Sequence, residues 1–121
     1  MNIEDIIEEK NLKRTPARTE LLEIFHTQNK PIAYEDIKGL IRMDKATFYR
    51  NVSKFEQENI LNSFESNDKK RYYEIQKNLH AHFICNACNT IECLQDFEMP
   101  ELEGYKIEDT IFKGLCKACN H

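Results

Sequence analysis

Nowhere in its 121 residues does this chain approach the roughly 18 consecutive apolar residues that carry a helix across a bilayer. The opening Met1-Asn2-Ile3-Glu4-Asp5 lacks the basic-then-apolar pattern of a secretion signal. There is no internal repeat and no low-complexity segment. No Ser-His or Cys-His arrangement suggests a nucleophile with its base, and no βαβ pattern surrounds the cysteines as a thioredoxin-like redox pair requires. These absences predict a cytoplasmic protein with no membrane partner and no small-molecule substrate. They also argue against an enzyme.

What is present is cysteine. The chain holds five, four of them in two C-x-x-C pairs. In a reducing compartment, paired cysteines more often hold metal than form disulfides. The length allows one ordinary domain or two very small ones. A very small domain buries too little surface to stand alone and usually needs a metal, a disulfide or a partner chain.

The net charge of −4 is unpromising for a nucleic-acid partner, but its distribution matters more. From Lys10 to Lys54 there are ten Lys/Arg against five Asp/Glu, a local +5, whereas Lys77 onward carries four Lys against seven Asp/Glu, a local −3. A basic segment followed by an acidic one suits a DNA-binding part joined to a part with another task.

Ile3 to Lys10 reads as a short helix with Ile3, Ile6 and Ile7 on one side. Thr15 followed by Pro16 is a helix start, the hydroxyl capping free N–H groups and the proline suiting the first turn. Leu21, Leu22, Phe25 and Ala17 form its apolar stripe, and Pro31 ends it near Gln28 to Lys30. A third helix is expected from Tyr34 to Ile41 with Ile37, Leu40 and Ile41 inward. Asp44 can cap a fourth, Lys45 to about Glu58, whose buried stripe is Phe48, Val52 and Phe55. Its other side carries Ala46, Tyr49, Arg50 and Ser53, flanked by Lys54.

The period then changes to that of strands at Ile60 to Glu65 and Arg71 to Ile75, joined by the turn-rich Ser66-Asn67-Asp68-Lys69-Lys70. Helices followed by a hairpin give the winged-helix pattern, in which the fourth helix enters the major groove. From Lys77 the reading is of short strands, His80 to Asn86, Thr90 to Leu94 and Ile107 to Leu115. Phe97 to Tyr105 has no helical stripe. The fold class is therefore α+β: an N-terminal winged helix, residues 1–76, and a small β-rich zinc-binding unit, residues 77–121.

Cys85-Asn86-Ala87-Cys88 and Cys116-Lys117-Ala118-Cys119 stand 27 residues apart. Two such turns, each following a strand, can converge on one tetrahedral Zn²⁺ through four thiolates. Such an ion would fold a unit whose own core is too small. The alternative is four buried or redox-active thiols. His80 and His82, two apart on a strand, face the same way and could share an ion. Glu74 precedes them and Cys93 stands outside both pairs, so the four could form a second, more exchangeable site. Equally, the histidines could lie on a solvated strand. His26 and His121 read as surface residues.

Taken in order, several pieces make the chain resemble the ferric uptake regulator family over nearly its whole length. They are Arg14-Thr15-Pro16-Ala17-Arg18, Ala46-Thr47-Phe48-Tyr49-Arg50-Asn51-Val52, Arg71-Tyr72-Tyr73-Glu74, His80-Ala81-His82-Phe83-Ile84-Cys85-Asn86-Ala87-Cys88, and Lys113-Gly114-Leu115-Cys116-Lys117-Ala118-Cys119. The resemblance implies a homodimer, the C-terminal unit serving as dimerisation domain. It implies structural zinc at Cys85, Cys88, Cys116 and Cys119, and a sensing site including Glu74, His80 and His82. It implies metal-promoted binding to a double-stranded DNA operator, with Tyr49 and Arg50 reading bases while Arg14, Arg18, Lys45 and Lys54, with Lys13, touch phosphates.

The chain departs from the family pattern in three places. A histidine before the third helix is Lys30 here. A position often acidic is Cys93, and a thiolate beside imidazoles favours Zn²⁺ over Fe²⁺ or Mn²⁺ as the second, regulatory divalent metal. The segment before the last strand is short, so the dimer would rest mainly on strand pairing. A further metal site seen in some members is unsupported, since Leu79 and Ala81 stand at its ligand positions.

Three functions compete at this point. One is a metal-responsive repressor of zinc homeostasis. Another is an iron- or peroxide-responsive regulator of the same family, with a histidine or Cys93 as the oxidised group. The third, a zinc hydrolase, needs an open metal position that four thiolates do not leave.

Overall fold

A computed structural model describes residues 3–10, 12–76, 81–94, 101–107 and 109–120. The chain divides into two compact units. One comprises Met1–Ser63 with Arg71–Gln76, the other Phe64–Lys70 with Lys77–His121. Among the described residues no helix is long and apolar enough to cross a membrane.

The first unit opens with helix α1 (Ile3–Glu9) and helix α2 (Pro16–Gln28). Thr15 caps α2 as its residue pair predicts: its hydroxyl accepts the Arg18 N–H at 3.2 Å. The helix stops at Asn29, which adopts a left-handed conformation (φ 48°) and bonds its N–H back to the Phe25 carbonyl. Strand β1 (Ile32–Ala33) and helix α3 (Tyr34–Ile37) follow. The Asp36 carboxylate accepts the Ala33 N–H at 2.9 Å and so starts α3.

Here the structure corrects the sequence reading. The third helix ends at Ile37, four residues short of the expected Ile41. Leu40, expected inward, is 68% exposed. Residues 38–40 form a turn in which the Leu40 N–H bonds the Ile37 carbonyl three residues back, so the 3.6-residue period no longer governs which way Leu40 points.

Helix α4 (Lys45–Gln57) begins where Asp44 accepts the Thr47 N–H at 2.8 Å. The hydrogen bonds to Thr47 hold the Asp44 pKa below its ordinary value. Phe48, Val52 and Phe55 are fully buried, as their spacing demands. Past the C-cap Glu58 the chain turns at Asn59 (φ 60°), with the Ile60 N–H reaching the Phe55 carbonyl at 2.8 Å, which is a Schellman closure.

Strands β2 (Leu61–Glu65) and β3 (Arg71–Ile75) complete a sheet of order β1-β3-β2, with Ile32 opposite Tyr73 and Ala33 opposite Tyr72. The hairpin turn places Lys69 at φ 64°. Ser63 links helix to strand, donating to Glu56 at 2.8 Å and accepting from Arg71 at 3.2 Å. Fourteen buried residues from Ile6 to Tyr73 form one continuous core. Phe25, Phe48 and Phe55 are its largest fully buried members, each contributing about 1.5–3 kcal/mol by removal from water. Burial pushes the Tyr73 hydroxyl up to about 12.

The second unit is a three-stranded sheet of order β5-β4-β6, built from β4 (Ala81–Cys85), β5 (Ile91–Leu94) and β6 (Ile111–Gly114). Strand β5 is antiparallel to β4, and β6 lies parallel to it. The last strand covers less than the expected Ile107 to Leu115. Residues 95–100, which include part of the segment expected to lack a helix, lie outside the described residues.

Candidate metal centre and nucleic-acid interface

The parallel pairing of β4 with β6 builds the cysteine cluster. Cys85, the last residue of β4, stands opposite Gly114, the last of β6. Both C-x-x-C turns therefore leave the sheet at the same end. The Asn86 N–H clamps the two exits by donating to the Gly114 carbonyl at 2.7 Å. In the first turn the Asn89 N–H bonds the Cys85 carbonyl at 2.9 Å, with Asn89 at φ 61°. In the second, the Cys119 and Asn120 N–H groups bond the Cys116 carbonyl at 3.0 and 2.9 Å.

The sulfurs of Cys85, Cys88, Cys116 and Cys119 all lie within 4.8 Å of one another. Cys88 Sγ and Cys116 Sγ are 3.7 Å apart. Four sulfurs at about 2.3 Å from a tetrahedral Zn²⁺ are separated by roughly 3.8 Å, so this spacing fits the ion, while a disulfide is excluded at that distance.

Cys85 Sγ accepts the N–H groups of Ala87, Cys88 and Cys116, each at 3.4 Å. These bonds, that of Cys88 foremost, draw its thiol down to about 6. The Thr90 hydroxyl, 2.9 Å from Cys88 Sγ, lowers that thiol too. Cys119 is pushed the other way, to about 12, chiefly by hydrogen bonding to Cys116. Four crowded sulfurs cannot all ionise without a cation among them, and a divalent ion removes that conflict.

His82 and Cys93 face each other across β4 and β5 with their ligand atoms within 4.8 Å. The His82 ring is buried and stacks on Phe64 at 4.5 Å and 29°. Glu74, 3% exposed, belongs to the first unit. His80 lies outside the described residues, as does His121. His26 is exposed, as a surface residue should be.

On the outer side of α4, Ala46, Tyr49, Arg50 and Ser53 are all exposed. The Tyr49 ring is braced edge-on by Phe48 at 5.2 Å and lies 5.7 Å from Tyr34. Lys45 Nζ sits 5.6 Å from the Tyr34 ring and 5.9 Å from that of Tyr49, within reach of a cation–π attraction. Arg50 donates to Thr47 at 3.3 Å. Arg14 and Lys13 are exposed before α2, and Lys54 pairs with Glu58 at 3.3 Å.

One residue of this helix, on its inward side, escaped the sequence reading. Asn51 is 7% exposed and bonds to Arg18 of α2 at 3.2 Å. Its position, three after Phe48 and four before Phe55, is the available signal: a polar side chain on the inward stripe must find a partner.

Residues 9–115 match the model of the ferric uptake regulator family. The ferric uptake regulation protein of Neisseria meningitidis serogroup A is 30% identical over 130 residues, covering 93% of this chain and 90% of its own length. That of Helicobacter pylori is 32% identical over 121 residues, covering 95% and 78%. The solved structure of the Helicobacter pylori ferric uptake regulator, described as having three functional metal-binding sites, superposes with a TM-score of 0.76 at 25% identity, covering 100% of this chain and 95% of that one.

Proposed function

This chain belongs to the ferric uptake regulator family, whose members are metal-responsive transcription regulators and not enzymes, and we propose that it is a repressor that binds duplex operator DNA as a homodimer when metal is bound. Cys85, Cys88, Cys116 and Cys119 hold a structural Zn²⁺ that keeps the second unit folded. Its reduced thiols suit the cytoplasm. His82 and Cys93 belong to a regulatory site, and Glu74 and His80 are carried to that site by the resemblance. Tyr49 and Arg50 read bases, and Arg14, Arg18, Lys45 and Lys54 grip phosphates.

The observation that supports the regulatory half is the apposition of His82 and Cys93 on neighbouring strands. A thiolate beside an imidazole favours Zn²⁺ over Fe²⁺ and Mn²⁺, which points to zinc homeostasis. A ligand that binds the DNA-competent conformation better shifts the population towards it, so metal and operator strengthen each other's binding.

The second reading is an iron-responsive repressor, favoured by the names of the curated relatives. Fluorescence anisotropy with labelled duplex and graded Zn²⁺, Fe²⁺ or Mn²⁺ separates them. Zinc is expected to promote binding at the lowest free concentration. Iron acting first selects the second reading, and binding indifferent to all three metals rejects metal sensing.

A further inference from the structure

Asn51 sits on the inward side of the helix that the reading above sets against DNA. Its Nδ2 donates to the Thr47 carbonyl at 3.0 Å, one turn back. Its Oδ1 accepts from Arg18 Nε at 3.2 Å. Arg18 Nη1 in turn donates to the Lys13 carbonyl at 3.0 Å. The guanidinium is held at two corners, by α4 and by the chain leading into α2, and neither bond uses Nη2.

Beside this guanidinium lies a groove of about 350 Å³ lined by Arg18, Arg50, Asn51, Ser53, Lys54 and Gln57. Three of the six are cations, and no carboxylate is among the described residues that line it. A concave site with convergent N–H donors and excess positive charge recognises a phosphate monoanion. Arginine is well suited because its planar fork can spend one edge on the protein and another on the anion. A long side chain fixed before the anion arrives also loses less rotamer freedom on binding.

We propose that this groove seats one phosphate of the DNA backbone, and that Asn51 is the positioning residue that aims Arg18 at it. The inference rests on the DNA-binding reading and adds to it a residue whose side-chain bonds go to Arg18 and Thr47 rather than to the nucleic acid. Asn51 works through Arg18, so its contribution exists only while Arg18 is present.

The test is a double-mutant cycle on the full-length, zinc-loaded protein. The probe is a duplex selected from a random-sequence pool by the wild-type chain. The variants are Arg18→Ala, Asn51→Ser and the double substitution. Serine can still bond the Thr47 carbonyl from within a helix but cannot reach Arg18 Nε.

Each phosphate contact adds about 0.9 to the slope of log K against log salt. Arg18→Ala is expected to flatten the slope by about that amount, and Asn51→Ser to flatten it in the same direction. A fourfold rise in salt then narrows the gap between Arg18→Ala and wild type by about 3.5-fold. The double variant is expected to match Arg18→Ala alone.

A slope for Asn51→Ser parallel to wild type overturns the proposal. So does an affinity loss that recurs in full in the Arg18→Ala background, which is what a purely structural role produces. If thermal melting shows that Asn51→Ser does not fold, Arg18→Lys decides, since it keeps the charge but loses the fork that Asn51 holds. Binding weaker than wild type supports the proposal, and equal binding overturns it. A wild-type chain that selects no duplex removes the DNA-binding reading itself, and the inference falls with it.

Discussion

Replacing Cys116 with serine should unfold the second unit and spare the first. Among its described residues, the large, fully apolar side chains buried in that unit are Ile84 and Phe64. Together they contribute about 3–6 kcal/mol by leaving water. A structural Zn²⁺ bound by thiolates is worth about 10–16 kcal/mol of folding free energy. Metal binding therefore outweighs the apolar core about threefold, and the sheet cannot survive its loss. The first unit has fourteen core residues of its own and no such dependence.

Hydrogen exchange read by mass spectrometry follows both units at once. The His82, Cys85 and Asn86 amides bond to the Thr110, Thr90 and Gly114 carbonyls in the folded sheet. They should lose protection in Cys116→Ser, and in wild type stripped by a chelator, while the amides of α2 and α4 keep theirs. Retained protection at His82 and Asn86 in a metal-free Cys116→Ser chain refutes the reasoning.

Three further outcomes are expected. Phe55→Ala, at a fully buried position, should cost about 3–5 kcal/mol in chemical denaturation, and a loss below about 1 kcal/mol would show that the core is not packed around this ring. Cys93→Ser should leave the tightly bound zinc in place by metal analysis but abolish the metal dependence of DNA binding; loss of the structural zinc instead would assign Cys93 to the other site. Asp44→Ala should lower the melting temperature at neutral pH. Because the Asp44 pKa is depressed in the folded state by its bonds to Thr47, its stabilisation is present above the unfolded pKa near 3.8 and disappears as pH falls through the lowered value, so wild type and variant should converge in acid.

Much of the fold was legible because single residues announce it. Asp44 and the Phe48, Val52, Phe55 spacing define α4 by a cap and a period, and Thr15-Pro16 does the same for α2. The cysteine quartet was legible because two C-x-x-C turns have few other uses. What was not legible depended on contacts distant in sequence. Strand β1 is two residues long, too short for any alternation, and exists because β3 lies beside it. Leu40 carries a helical spacing, but the helix ends at Ile37 and a turn follows, so its pattern promised a burial the backbone does not deliver. The stacking of His82 on Phe64 joins residues eighteen positions apart, and nothing in either segment names the other.

The parallel neighbour relation of β4 and β6 also sets an order of events during synthesis. The helical unit is complete once Gln76 has emerged, so it can fold while the ribosome is still adding residues. The sulfur cage cannot close at that stage. Cys85 and Cys88 must wait, as reactive half-ligands, until β6 has emerged and brought Cys116 and Cys119 alongside. If these thiols hold zinc as proposed, its loading is a late checkpoint on each nascent chain, and a cell short of zinc would accumulate molecules with a finished first unit and an unfinished second one.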